Sequence, residues 1–343
     1  MNLRYTDPDV LVIGDTPVAR GEEKTLRLHI SKHFDDTEFS MAVRVIRGPL
    51  PGPVLFVSGA VHGDEIIGPE IIRRVLAAKQ FRLLSGTLLA IPIVNIFGYN
   101  AGLRYLPDRR DLNRSFPGSK SGSLAAQVAH TFLQEIIKKS HFGIDLHSGS
   151  QHRYNLPQIR ARLDDPETEE LAMAFGAPVV LNARLRDGSI RAEADTLDIK
   201  IMLFEGGEAL RFDEQAIRIG KSGVLRIMEH IGMIPRLPPS LPVNTYRAKS
   251  SYWVRAPQSG ALRAMRSIGA RVSVNSRLGV VTDVFGDFCQ QVTSRTEGLI
   301  IGENRIPLIN RGDALFHIAT FEDSDTIRTL YQEFTDYPEL VLE

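Results

Sequence analysis

Five short apolar runs constrain this chain more than any other feature. "VLFVSGA", "TLLAIPIVNIFGY", "HFGIDLHS", "APVVL" and "IKIMLFEGG" are nearly continuous stretches rich in Val, Ile and Leu. A strand with one solvated face alternates apolar and polar residues. A continuous run suits a strand covered on both faces, as in a parallel sheet between helix layers. The segments between them read as those helices. Ile67, Ile71, Ile72, Val75 and Leu76 recur at helical spacing, with Pro69 near the start. A second helix is predicted over 123–139, opened by a Ser123 cap and closed by Lys138 and Lys139. A third follows "DDPETEE", with Asp165 as cap and Pro166 at its first position. The alternation predicts an α/β three-layer sandwich with a mostly parallel, mixed central sheet.

The 343 residues suffice for one or two domains. The main domain is expected over 1–240, with 1–50 a β-rich extension holding "TLRLHI" and "MAVRVIRG". Prolines crowd "MIPRLPPSLPVNTY", as in a linker. Beyond it, over 241–343, the chain turns β-rich and long helix patterns vanish. "SGALRAMRSIGARVSVNSRLGVV" and "EGLIIGENRIPLINRGDALFHIA" share a plan, with Gly260 matching Gly298 and Leu278 matching Leu315. That duplication suggests an all-β barrel-sandwich domain of two similar halves. Its glycine pattern resembles biotinyl and lipoyl carriers, but "TDVFGDFCQQ" lacks the lysine a carrier needs at its hairpin tip. A docked structural domain that narrows the site is expected.

Charge narrows the function classes. Lys plus Arg and Asp plus Glu stand at 41 each, which argues against a nucleic-acid or membrane-surface role carried by bulk charge. No run approaches the roughly 18 apolar residues of a membrane span, and "MNLRYTDPDV" lacks a signal-peptide pattern, so a cytoplasmic protein is expected. A single cysteine, Cys289, excludes an intrachain disulfide framework and is expected to be structural. Homo-oligomerisation is left open.

In α/β sheets, functional groups gather beyond the C-terminal ends of the strands. "VSGAVHGDE" puts His62 and Glu65 there, "GIDLHSGS" puts His147 there, and "LFEGGE" ends on Glu205. A lone histidine at a strand end is usually just a hydrogen-bonding residue. Two imidazoles and a carboxylate together are the donor set of a catalytic zinc site with an open fourth position. Asp145, two residues before His147 on the same strand face, is positioned either to orient that imidazole or to pair with an arginine. Asn113 and Arg114, in "RRDLNRSFPG", offer an amide and a planar fork for a carboxylate, although taken alone the stretch reads more simply as an ordinary polar loop closed by "PG". Glu205 is placed either to take and return a proton beside a metal site or simply to cap a helix or pair with a cation. Arg153 and Asn155 are placed to line the pocket or to shape its wall.

"HGDE", "DLNRSFPG", "DLHSG" and "FEGGE", in this order, resemble the succinylglutamate desuccinylase/aspartoacylase family of zinc amidohydrolases, relatives of the metallocarboxypeptidases. The resemblance runs from about Val54 to Ile231. It implies a zinc carboxypeptidase-like fold and one Zn²⁺ per chain, held by His62, Glu65 and His147. It also implies Glu205 as general base and acid, and Asn113 with Arg114 as binders of a substrate carboxylate. An arginine near the scissile carbonyl matches Arg104 best, with Arg109 and Arg110 as alternatives. The expected activity is hydrolysis of the amide of a small N-acylated amino acid or related amine. The alternatives are a carboxypeptidase on short peptides and a non-catalytic, metal-dependent ligand-binding protein.

Overall fold

The computed structural model describes residues 5–150, 152–238, 244–322 and 324–336. A hairpin of β1 (Val10–Ile13) and β2 (Thr16–Ala19) leads into β3 (Glu23–Lys32), β4 (Glu38–Arg47) and β5 (Leu50–Gly59). There follow α1 (Ile67–Leu76), β6 (Ser85–Ile91), α2 (Ile96–Ala101), α3 (Leu124–Glu135), β7 (Phe142–Gly149) and β8 (Arg153–Ala161). The series continues with α4 (Pro166–Phe175), β9 (Val179–Asn182), α5 (Ile190–Thr196), β10 (Lys200–Glu208) and α6 (Glu214–His230). The large sheet has a parallel heart, β6-β5-β7-β10, flanked by antiparallel β4 and β3 on one side and β8 on the other. It is therefore mixed, with helices on both faces.

The strands of that heart are continuous in hydrophobicity because each feeds two cores. In β5, Leu55 and Val57 pack with Ile71, Phe175, Phe204 and Ile217, beneath α1, α4 and α6. Their neighbours Val54 and Phe56 point the other way, to Phe132, Leu133 and Ile190 beneath α3 and α5. The three-layer sandwich follows from that alternation.

Several boundaries differ from the sequence reading. The run 87–99 is not one strand. It stops at Ile91, where Pro92 removes a backbone donor, and Asn95 caps α2 by accepting from Gly98 N at 2.9 Å. Ser123 caps α3 as expected, but the α-helix ends at Glu135 and Ile137–Lys139 tightens into a 3-10 turn. Asp165 and Pro166 open α4 as expected.

The remaining elements are β11 (Tyr246–Ala248), β12 (Ser250–Arg255), β13 (Gly260–Ala264), β14 (Arg271–Val272), β15 (Arg277–Thr282) and β16 (Cys289–Thr293). After them come β17 (Gly298–Asn304), β18 (Leu308–Ile309), β19 (Ala314–Thr320) and α7 (Ser324–Asp336). β16-β15-β13-β18 form a separate antiparallel sheet. β17, β19 and β12 continue the large sheet outward from β8, so hydrogen bonding runs across the boundary expected near 240. The two related segments become β13–β14–β15 and β17–β18–β19. They are interlocked, because β13 pairs with β18 and β14 with β17. Leu278 and Leu315 share one core. Residues 239–243 of the proline-rich stretch lie outside the described residues. Two expectations are corrected here: α7 adds a helix where none was predicted, and Cys289 is exposed on β16 rather than built into a core.

Candidate active site

The connections leaving β5 and β7 run in opposite directions, through α1 to β6 and through β8 toward β10, which opens a crevice at the ends of these adjacent strands. The loop after β5 carries His62 and Glu65 into it. This loop lies so close to α2 that a Cβ on Gly63 would stand 1.9 Å from the Gly98 carbonyl carbon, so only glycine fits. β7 contributes His147. Across the parallel ladder β10 sets Glu205 in register with it.

His62, Glu65 and His147 are buried, and one donor atom from each lies within 4.8 Å of the others. Both Nδ1 atoms converge on Glu65, His62 at 2.8 Å from Oε1 and His147 at 2.6 Å from Oε2. Each Nε2 faces a second carboxylate: Asp111 at 3.2 Å for His62 and Asp145 at 2.7 Å for His147. Ser58 in turn donates to Asp145 at 2.7 Å. Imidazoles that give one nitrogen to a cation and the other, as N–H, to a carboxylate are the usual arrangement around a protein-bound metal. Burial would depress both imidazoles. The carboxylates outweigh it, raising His62 through Glu65 and Asp111, and raising His147 well above its ordinary value through Asp145 and Glu65. Burial likewise pushes Glu65 up, yet the two histidines hold it well below the usual range. The centre therefore draws positive charge, and its donor set fits a divalent cation of the zinc type, with His62, Glu65 and His147 as holders.

The other expected residues surround this centre. Arg104 bridges Glu65 at 3.1 Å and Asp111 at 3.0 Å. Arg109 and Arg110 are exposed and do not line the cleft. Asn113 Oδ1 accepts from Ile190 N at 2.9 Å, so its carbonyl anchors the start of α5 while its side chain borders the cleft. Arg114 projects into the open cleft, its guanidinium bonded to the Asn113 carbonyl. Glu205 accepts from Asn155 Nδ2 at 2.8 Å and lies 3.4 Å from Arg160. All seven of the expected site residues border one cleft of about 660 Å³.

A family model described as the succinylglutamate desuccinylase/aspartoacylase catalytic domain matches residues 51–231. The chain belongs to this family. Among its relatives is the N-alpha-acetyl-L-2,4-diaminobutyric acid deacetylase of Halomonas elongata, 25% identical over 289 residues, which span 80% of this chain and 84% of that protein. Similar solved structures include the product-bound ectoine utilization protein EutE (DoeB) of Ruegeria pomeroyi, with TM-score 0.79 and 22% identity, covering 91% of this chain and 98% of that one. Another is a succinylglutamate desuccinylase/aspartoacylase of Rhodobacter sphaeroides, with TM-score 0.77 and 23% identity, covering 88% and 96%. At such identities the structures establish the carboxypeptidase-like fold, and the Halomonas relative is named as a deacetylase.

Within that fold, several residues in or behind this cleft were not found from sequence. Asp111 opens the "DLNR" motif, yet its role behind His62 depends on a loop folding back across 49 positions. Arg184, Arg186 and Arg191 come from "RLRDGSIR", whose charge density was the available signal. Tyr252, Trp253 and His317 enter from the C-terminal strands, and Trp253 stacks on His317 with centroids 4.7 Å apart. Arg153 and Asn155, which sequence left undecided, both line the cleft. Among the described residues no helix is long and apolar enough to cross a membrane.

Proposed function

We propose that the chain is a zinc-dependent hydrolase cleaving the amide bond of a small N-acylated amino acid or related amine, and that it works in the cytoplasm with one Zn²⁺ per chain. The observation that carries this reading is Glu205, set in register beside His147 at the edge of a buried His-Glu-His cluster. Zn²⁺ held there supplies Lewis acidity to the reacting water and carbonyl.

The chain's own groups do the rest. Glu205 takes the proton from the attacking water and returns it to the departing amine. Asn155 and Arg160 fix its carboxylate, so the proton is exchanged at a defined atom. Arg104 places a guanidinium near the carbonyl oxygen, where charge develops. Arg114 and the Asn113 amide hold the substrate's carboxylate and orient the amide for attack. N-acetyl-diaminobutyrate, named for the Halomonas relative, is one member of this substrate class.

The test is Glu205→Gln assayed on N-acyl amino acids and, in parallel, on dipeptides. The variant should keep its zinc and lose on the order of 10²–10⁴ in kcat. Near-normal turnover would remove Glu205 from the chemistry. Preference for dipeptides in the parent protein would replace the deacylase reading with a carboxypeptidase.

A further inference from the structure

The floor of the cleft continues past Glu205 along a single row of the large sheet. His147 of β7 lies in register with Glu205 of β10, and Asn155 of β8 reaches Glu205 with its amide. Asn155 is in turn opposite Gly302 of β17, Gly302 opposite His317 of β19, and His317 opposite Trp253 of β12. Residues paired in this way point to one face. At about 4.8 Å per strand, His317 stands roughly 14 Å from Glu205 along the sheet. An acetyl group ends one bond beyond the scissile carbonyl and stops well short of it. The cleft, at about 660 Å³, is of the size that encloses drug-sized molecules.

The far end of the row is a flat, uncharged surface. Trp253 stacks on His317 with centroids 4.7 Å apart and planes 9° from parallel. β17 shifts register between Ile300 and Gly302, which sets a residue without a side chain at the foot of the stack. A Cβ there would stand 3.0 Å from His317 Cβ and 3.4 Å from Trp253 Cη2. His317 is 5% exposed, and its Nδ1 finds no hydrogen-bond partner among the described residues. Burial, reinforced by Arg160, draws the imidazole down to about 3, so the ring is neutral at physiological pH. The indole is only half-buried, and both rings border the cleft.

The surroundings select what can lie on this surface. The Arg153 guanidinium carbon is 5.9 Å from the indole centroid, so a cationic ligand group would meet like charge. An anionic group would face the negative π-cloud of the ring. A flat, uncharged, apolar group suffers neither cost. We propose that Trp253 and His317 form a stacking platform for an aromatic ring carried at the far end of the substrate's acyl group, so that the preferred acyl chain is longer than acetyl. The proposal rests on the deacylase reading of the same cleft. In that reading Asn113 and Arg114 hold the carboxylate of the amine half, which leaves the acyl half to run along the sheet.

The test measures kcat/KM of the zinc-loaded full chain on N-acetyl-alanine, N-phenylbutanoyl-alanine and N-acetyl-phenylalanine. The phenylbutanoyl substrate should exceed N-acetyl-alanine by roughly ten- to a hundredfold, mainly through KM, which is what burying and stacking one ring supplies. Trp253→Ala should bring these two substrates level, and Trp253→Phe should keep part of the advantage. No advantage in the parent protein, or one that survives Trp253→Ala, would overturn the platform. A gain confined to N-acetyl-phenylalanine would overturn its assignment to the acyl half. Trp253 is the single tryptophan of the chain, so tryptophan emission reads the platform without turnover. Titration with phenylbutanoate should quench or shift that emission saturably, and acetate at equal concentration should not. Emission unchanged by phenylbutanoate would overturn the platform as well. Amide hydrolysis with neither ring preference nor emission change defeats the platform alone. A saturable emission change with no amide hydrolysed defeats the deacylase reading alone.

Discussion

Asp145 touches no part of the open cleft, yet the centre depends on it. Its carboxylate, steadied by Ser58, holds the Nε2–H of His147 and so fixes the ring with Nδ1 toward Glu65. His147→Ala should abolish stoichiometric zinc in the purified protein. Asp145→Asn should retain the ion but weaken it by about 10–100-fold, read by competition against a chromophoric chelator. Unchanged affinity in Asp145→Asn would make that contact a structural one only. At this scale sequence exposed the residues that end strands, because His62, Glu65, His147 and Glu205 each interrupt an apolar run. It hid Asp111 and the Arg184–Arg191 group, whose meaning comes from loops returning across tens of residues. Tyr252, Trp253 and His317 were hidden for the same reason.

Elements were readable where burial imposes a pattern on both strand faces, as in β5, β7 and β10. They were unreadable where a single residue decides, as at Pro92 after β6, or where a helix follows a β-rich stretch, as with α7. The flank at β4 and β6 shows a different dependence. Asp7 and Arg47 pair at 2.8 Å with both side chains fully buried, and Thr87 and Arg20 also donate to Asp7, at 2.6 and 2.7 Å. Burial pushes the Asp7 carboxyl up, but these donors outweigh it and hold it below its ordinary value. Asp7→Ala leaves Arg47 as an unmatched buried charge and should cost about 3 kcal/mol at pH 7, measured by urea denaturation. Because the folded pKa is depressed, the contribution is complete above the unfolded value of about 3.9 and is lost as pH falls through the folded one. The difference between parent and variant should therefore narrow on acidification below about pH 4. A difference independent of pH would assign the loss to packing instead.

Across the whole molecule, the C-terminal strands behave as part of the scaffold. Leu156, Val179 and Leu181 of β8 and β9 share a buried cluster with Leu299, Ile301 and Phe321. A chain ended at residue 238 would bare that cluster and the hydrogen-bonding edge of β8 together. It should aggregate or bind a hydrophobic dye, and the intact chain should melt in one calorimetric transition. Two well-separated transitions would show instead that the β-rich part folds on its own. The joint itself is narrow. Asn155 is in register with Gly207 of β10 and with Gly302 of β17, and its amide holds Glu205. A Cβ at position 302 would come within 3.1 Å of Asn155 Oδ1. A side chain at position 302, almost a hundred residues downstream in the chain, would thus press on the residue whose amide holds Glu205. A lineage that recasts its distal strands for another ligand has to do so around this one notch.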